Sequence, residues 1–142
     1  MGQKVILVDD EHMLVDALAE RFELRNVDVI KAYNAKDALH EITDEVKIAI
    51  VDLRMPDMDG IELTKAIKQL YPDVEVVILT AYKNKFTTEQ AIEAGASEVH
   101  DKHNGQFSSI FEKLCDVLER YGVAITFAEK DDDKTAKRII EE

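Results

Sequence analysis

Three short apolar runs and one short polar stretch lead directly into oxygen-bearing or cationic side chains. Val5-Ile6-Leu7-Val8 leads into Asp9-Asp10-Glu11, Ile48-Ala49-Ile50-Val51 into Asp52, Val76-Val77-Ile78-Leu79 into Thr80, and the polar stretch 97–101 into Lys102. If these ends meet, the carboxylates of Asp9, Asp10 and Asp52 lie a few ångströms apart. At about 4 Å and an effective dielectric near 20, each like-charged pair costs roughly 4 kcal/mol. Such a group must bind protons or a cation. Oxygen-only donors suit Mg²⁺, which takes one or two carboxylates and keeps several waters. Asp10 and Asp52 are expected as direct ligands, Asp9 through water, and Lys102 is expected to pair with Asp52. An aspartate beside a divalent cation and an ammonium is a nucleophile suited to phosphorus, because both cations offset charge on the phosphoryl oxygens as it builds. The Thr80 hydroxyl would then donate a hydrogen bond to the bound phosphoryl group. Singly, each residue has a plain structural explanation: a strand-end Asp often caps a helix, and a lone Lys is often a surface charge. Their coincidence at matching strand ends is harder to explain by structure alone.

The segments between these residues decide whether they converge. Continuous apolar runs suit strands covered on both faces, as in a parallel sheet. Residues 27–32, broken by Asp28 and Lys31, suit an outer strand, and residues 97–101 suit another edge. Helical spacing lies between the strands. Leu14, Leu18 and Phe22 recur every fourth residue. Asn34 with Asp37 marks a helix start. Leu63, Ala66, Ile67 and Leu70 form an apolar stripe ahead of Pro72. Thr87 with Gln90 predicts a capping box, with Gly95 ending that helix. Phe107, Ile110, Phe111, Leu114, Val117, Leu118 and Tyr121 mark a last amphipathic helix. About five repeats of strand then helix mean an open α/β sheet with right-handed crossovers, whose sites form at the carboxyl ends of the strands. After Gly122 the pattern changes. Val123, Ile125 and Phe127 alternate with small or polar residues, which predicts an extra strand, and 135–142 is expected as a short helix or frayed tail.

Composition narrows the function. The chain has 142 residues, enough for one domain with a single good core. No apolar run approaches the roughly 20 residues that cross a bilayer. The start runs straight into an apolar stretch ending at Asp9, unlike a signal peptide, and Ile6 stands where myristoylation needs Ser or Thr. Cys115 is the one cysteine, which fits a cytoplasmic location. A net charge of −12 opposes direct binding to nucleic acid or anionic lipid and points to proteins or cations as partners.

Taken together, Val5 to Glu11, Val51-Asp52-Leu53-Arg54-Met55-Pro56-Asp57-Met58-Asp59-Gly60, Ile78-Leu79-Thr80-Ala81, Ala94-Gly95-Ala96 and Lys102 resemble the receiver domains of two-component response regulators. The resemblance covers about residues 4–121, and its middle motif is highly specific. It implies a flavodoxin-like (βα)5 open parallel sheet of order 2-1-3-4-5 with helices on both faces. It implies a receiver domain over residues 1–122, followed by an extension over 123–142. It further implies that a sensor histidine kinase or phosphotransfer protein phosphorylates Asp52. Asp9, Asp10, Asp52 and the backbone carbonyl of Arg54 would hold Mg²⁺, while Lys102 and Thr80 contact the phosphoryl group. Thr80 would move toward that group and remodel the face made by the fourth helix, fifth strand and fifth helix, a shift between two populated states. A downstream protein target and a possible homodimer belong to the same expectation, and catalysis on outside substrates does not.

Three features depart from the family pattern. His103 follows Lys102 where the family has Pro, Val99 stands at the aromatic switch position, and the tail after Gly122 has no counterpart. Arg54 and Tyr82, two residues beyond Asp52 and Thr80, are large enough to hinder attacking water, which predicts slow self-dephosphorylation. The lost Pro and aromatic favour a different reading, a module of the same fold that phosphorylation does not control. The regulatory end of a longer transcription factor, without its output domain, is another; residues 123–142 are too short for a winged or helix-turn-helix domain and are not basic. An Asp-nucleophile phosphatase usually repeats the acid where Arg54 stands, and no Gly-rich turn of a dinucleotide-binding fold follows the first strand. His12, His40, His100 and His103 show no metal-ligand spacing.

Overall fold

The computed structural model describes residues 3–102 and 106–126. Its elements alternate as β1 (Lys4–Val8), α1 (His12–Leu24), β2 (Val29–Ala32), α2 (Ala35–Glu41), β3 (Val46–Val51), α3 (Gly60–Leu70), β4 (Glu75–Thr80), α4 (Lys85–Ala94), β5 (Glu98–Asp101) and α5 (Phe107–Arg120). The strands form one sheet of order β2-β1-β3-β4-β5, parallel at every pairing. This is the doubly wound, flavodoxin-like architecture expected from the sequence.

The period of two along the central strands sorts side chains between two cores. Val5, Leu7, Ile48, Ile50, Val77 and Leu79 pack toward α1 and α5, where Phe22 and Phe111 meet with ring centroids 5.0 Å apart. Ile6, Val8, Ala49, Val51, Val76 and Ile78 pack with Ala35, Leu63, Ile67 and Ala91 of α2, α3 and α4. Burial on both faces explains why these strands read as unbroken apolar runs. β2 lies at one edge and exposes Lys31.

Local signals at the helix ends were mostly readable. The Asn34 side chain accepts from the Asp37 amide at 2.8 Å, and that of Asp59 from the Glu62 amide at 2.9 Å. Gly95 ends α4 at φ 113°, a left-handed conformation that favours glycine. Three expectations need correction. The capping box of α4 is not Thr87 with Gln90. Asn84 is the cap, accepting from the Thr87 amide, while the Thr87 hydroxyl accepts from the Asn84 amide in return. Asn caps at least as well as Thr, and it moves the helix start three residues earlier. Leu70 is 59 % exposed, because α3 ends there and Lys68 holds the following turn by donating to the Pro72 and Val74 carbonyls. Thr64 is instead buried beside Leu63 and Ile67, its hydroxyl satisfied by donating to the Gly60 carbonyl at 2.7 Å.

The third correction concerns the chain after α5. Residues 123–126 form no strand. Gly122, at φ 83°, turns the chain; Val123 is buried, Ile125 packs on the α1–α5 core, and the Thr126 amide donates to the Arg25 carbonyl at 3.0 Å. That carbonyl belongs to the end of a helix rather than to a sheet edge, so alternation alone forms no ladder. Phe127 and the expected helix at 135–142 lie outside the described residues, as does His103.

Candidate functional site at the carboxyl edge of the sheet

Because the strands are parallel, β1, β3, β4 and β5 deliver their last residues to one edge. Main-chain bonds just past the strands hold them there. The Asp9 amide donates to Ala32, the Asp52 amide to Val8 at 2.9 Å, and the Lys102 amide to Thr80 at 2.9 Å. One carboxylate oxygen from each of Asp9, Asp10 and Asp52 falls within 4.8 Å of the others. Asp9 and Asp52 are buried and Asp10 is exposed. The sequence-predicted acids therefore converge.

Gly60 makes the approach of α3 to this edge possible. A Cβ there would stand 2.3 Å from the Asp52 carbonyl oxygen and 2.9 Å from the Leu53 Cα. The Gly60 amide donates to the Leu53 carbonyl at 2.7 Å, closing the loop that carries Arg54 to Asp59. Asp57, in the same loop, accepts from the Ala35 and Lys36 amides and ties it to the start of α2.

Lys102 is central to the charge balance. Its side chain is only 7 % exposed. The ammonium lies 2.7 Å from Asp9 Oδ2, 2.7 Å from Glu11 Oε1 and 3.5 Å from Asp52 Oδ1. The expected partner, Asp52, is thus its longest contact, because Asp9 and Glu11 reach it first. Among the described residues Asp52 Oδ1 is buried without a hydrogen bond. Burial, then the Asp9 charge, push the Asp52 carboxyl up to about 7, against the opposing pull of Lys102. Asp9 is also raised, by burial, although its bonds from Lys102 and the Glu11 amide oppose this. Burial alone would lower the Lys102 pKa, yet its bonds to Asp9 and Glu11 and the nearby carboxylate charges raise it.

The remaining expected residues take different positions. Thr80 is fully buried at the end of β4, where its hydroxyl accepts from the Tyr82 amide at 3.0 Å. The exposed Arg54 stacks its guanidinium 3.8 Å over the Tyr82 ring. Val99 is buried in β5, paired with Ile78 and packed among the α3–α4 core. Glu11 and Gly60 gained no individual role from sequence reasoning. The run Asp9-Asp10-Glu11 contained the signal for Glu11, since a third acid beside the cluster competes for the same lysine. Gly60 had only its place in the Asp59-Gly60 motif.

Residues 5–114 match the model of the response regulator receiver domain. Among curated proteins, the transcriptional regulatory protein LnrK of Bacillus subtilis is 37 % identical over 97 residues, covering 66 % of this chain and 44 % of that protein. Sporulation initiation phosphotransferase F of the same organism is 32 % identical over 97 residues, covering 68 % of this chain and 78 % of that protein. A cyclic di-GMP phosphodiesterase of Thermotoga maritima is 33 % identical over 94 residues, which are 66 % of this chain and 25 % of the phosphodiesterase. The chain thus spans 25 %, 44 % and 58 % of three curated relatives, matching each as one part of a longer protein. The non-phosphorylated HemR receiver domain from Leptospira biflexa superposes with a TM-score of 0.75 at 26 % identity, over 82 % of this chain and 94 % of that one. A CheY-like receiver domain protein from Methanospirillum hungatei gives 0.74 at 25 % identity, over 84 % and 95 %. Matched through most of its length and folded as these neighbours are, the chain belongs to the response regulator receiver domains, the signalling modules of two-component systems.

Proposed function

We propose that the domain is a phosphorylation-dependent switch that accepts a phosphoryl group on Asp52. The observation that carries this reading is the Asp52 carboxylate itself, buried and 6 % exposed, with one oxygen unbonded among the described residues and an ammonium 3.5 Å away. An aspartate that was only structural would have its oxygens satisfied.

The donor set fits Mg²⁺. It is all oxygen, it brings three carboxylates within reach of one point, and it includes an orphaned buried oxygen. Asp9, Asp10, Asp52 and the Arg54 carbonyl are the residues that would hold the ion. When bound, it supplies positive charge to the phosphoryl oxygens and removes the mutual repulsion of the acids. The chain's own groups do the rest. The Asp52 oxygen attacks the phosphorus of a phosphohistidine on a sensor kinase or phosphotransfer protein. The P–N bond breaks, and the imidazole leaves with its electron pair and takes up a proton. Lys102 offsets charge at the same oxygens. Thr80, whose hydroxyl oxygen accepts from the Tyr82 amide, turns its O–H to the phosphoryl group, and the α4–β5–α5 face then presents a changed surface to a protein target. No outside substrate is turned over, and the −12 charge disfavours direct contact with DNA.

The test is incubation of wild type and Asp52→Asn with acetyl phosphate and Mg²⁺, read by phosphate-affinity gel electrophoresis. Wild type shifts and the variant does not. A wild-type chain left unshifted at millimolar Mg²⁺ would favour the second reading, an interaction module outside phosphorylation control, for which Val99 and His103 speak. Arg54 stacks on the Tyr82 ring, and if that pair persists beside a phosphorylated Asp52 it would hinder attacking water. Tyr82→Ala is expected to shorten the phosphorylated lifetime several-fold, and a wild-type lifetime of seconds would contradict the screening role.

A further inference from the structure

Glu11 occupies the N-cap position of α1, yet its side chain caps nothing. The amides of Leu14 and Val15 are satisfied by the Glu11 backbone carbonyl. The carboxylate is turned instead onto Lys102, 2.7 Å from the ammonium, although it is 60 % exposed and free to point into water. Asp9 holds the same ammonium from the other side at 2.7 Å. The two acids together leave Asp52 with the longest of the three Lys102 contacts and, among the described residues, with an unbonded oxygen. An ammonium has three donors on a flexible stem, so it can exchange one carboxylate for another at little cost in geometry.

We infer that Glu11 is a positioning residue: it restrains Lys102 away from Asp52 in the resting domain and so sets how readily the phosphoryl group is accepted. The inference rests on the reading of Asp52 as phosphoacceptor. In this reading Lys102 exchanges the Glu11 carboxylate for the phosphoryl oxygens, so the 2.7 Å contact with Glu11 opposes that exchange. Weakening it therefore favours the phosphorylated state. Because Glu11 is largely exposed, the restraint is modest, a factor of roughly two to five in rate.

The experiment uses the full chain at saturating Mg²⁺ with acetyl phosphate, measuring the initial labelling rate of wild type, Glu11→Gln, Glu11→Asp and Lys102→Met, and of Glu11→Gln combined with Lys102→Met. Glu11→Gln is expected to label about two- to five-fold faster than wild type. Glu11→Asp keeps the charge but is one methylene too short for the contact, so it is expected to label faster as well. A field effect on the anionic donor would instead leave Glu11→Asp at the wild-type rate. In the Lys102→Met background, Glu11→Gln is expected to change nothing. A Glu11→Gln rate equal to or below wild type overturns the inference, and so does an increase that survives without Lys102. Wild-type labelling that Asp52→Asn abolishes shows that the phosphoacceptor reading stands in either case. An unlabelled wild type would instead sink that reading and this one together.

Discussion

Two acids of the same small domain sit at opposite limits of their chemistry. Asp52, at the carboxyl edge, is buried beside another carboxylate and titrates near 7. Glu98, at the start of β5, is held down to about 2, first by its bond from Arg120. There the guanidinium donates through Nε at 2.8 Å and Nη2 at 3.0 Å, one to each carboxylate oxygen. His100 Nε2 adds a contact at 2.7 Å. Glu98 is saturated with donors and straps β5 to the last turn of α5. Asp52 Oδ1 has no hydrogen bond among the described residues, and Asp9 and Glu11 take the closer contacts with Lys102. The contrast teaches that burial alone assigns no role to a carboxylate. A full set of donors makes one structural, and a deficit leaves one reactive at a cost in stability.

The same contrast extends to the helices beside β5. α5 buries Ile110, Phe111, Leu114, Cys115, Val117 and Leu118. α4 fully buries only Ala91 and exposes Phe86 and Ile92. One flank of the strand is anchored by packing and by the Glu98–Arg120 strap. The other has little to lose by moving.

The largest test of this comparison removes the charge of Asp52. In chelator, with no divalent ion bound, the folded carboxyl titrates near 7, against an ordinary value of 3.8 in the unfolded chain. Between those values the folded state binds the extra proton. Its stability therefore falls as pH rises from about 4 through about 7. Asp52→Asn is expected to match wild type near pH 4 and to exceed it by on the order of 2–4 kcal/mol above pH 7. Urea unfolding at the two pH values measures this, and an Asn variant no more stable at pH 8 would mean that Asp52 is not short of donors. Glu98→Gln should act with the opposite sign. The folded Glu98 carboxyl is depressed to about 2 from 4.5, so its contribution is present above pH 4.5 and lost as pH falls through about 2. With Arg120 half exposed, solvent screening reduces the loss at pH 7 to about 1 kcal/mol. The gap between Glu98→Gln and wild type should close in acid, as thermal unfolding can show. Smallest of all, Phe86→Ala on α4 should change stability by less than about 0.5 kcal/mol, because the ring is 68 % exposed. A loss of several kcal/mol would reveal packing that makes α4 as firmly anchored as α5.

Much of this was legible in the residues. Val5 to Val8, Ile48 to Val51 and Val76 to Leu79 read as buried strands because both of their faces are covered. The residues that follow them converge because parallel strands end on the same side. The misreadings arose where a local signal had a rival. Thr87 looked like a cap until Asn84, three residues earlier, took the position with Thr87 as its reciprocal partner. Leu70 fitted the apolar stripe, but the helix ended before anything covered it. Val123 and Ile125 alternated like a strand, yet Thr126 found its main-chain partner at Arg25. The Glu98–Arg120 strap joins residues 22 positions apart and left no trace in the sequence.

By itself, the amino-acid order determined the sheet, its helices and which acids gather at its carboxyl edge, since hydrophobic periodicity and the handedness of crossovers act over short stretches of chain. Only the tertiary structure decided how the charges are shared there. Lys102 and Asp9 are 93 positions apart, and whether the ammonium settles on Asp9, Glu11 or Asp52 depends on differences of less than an ångström in reach and on burial that no single segment encodes.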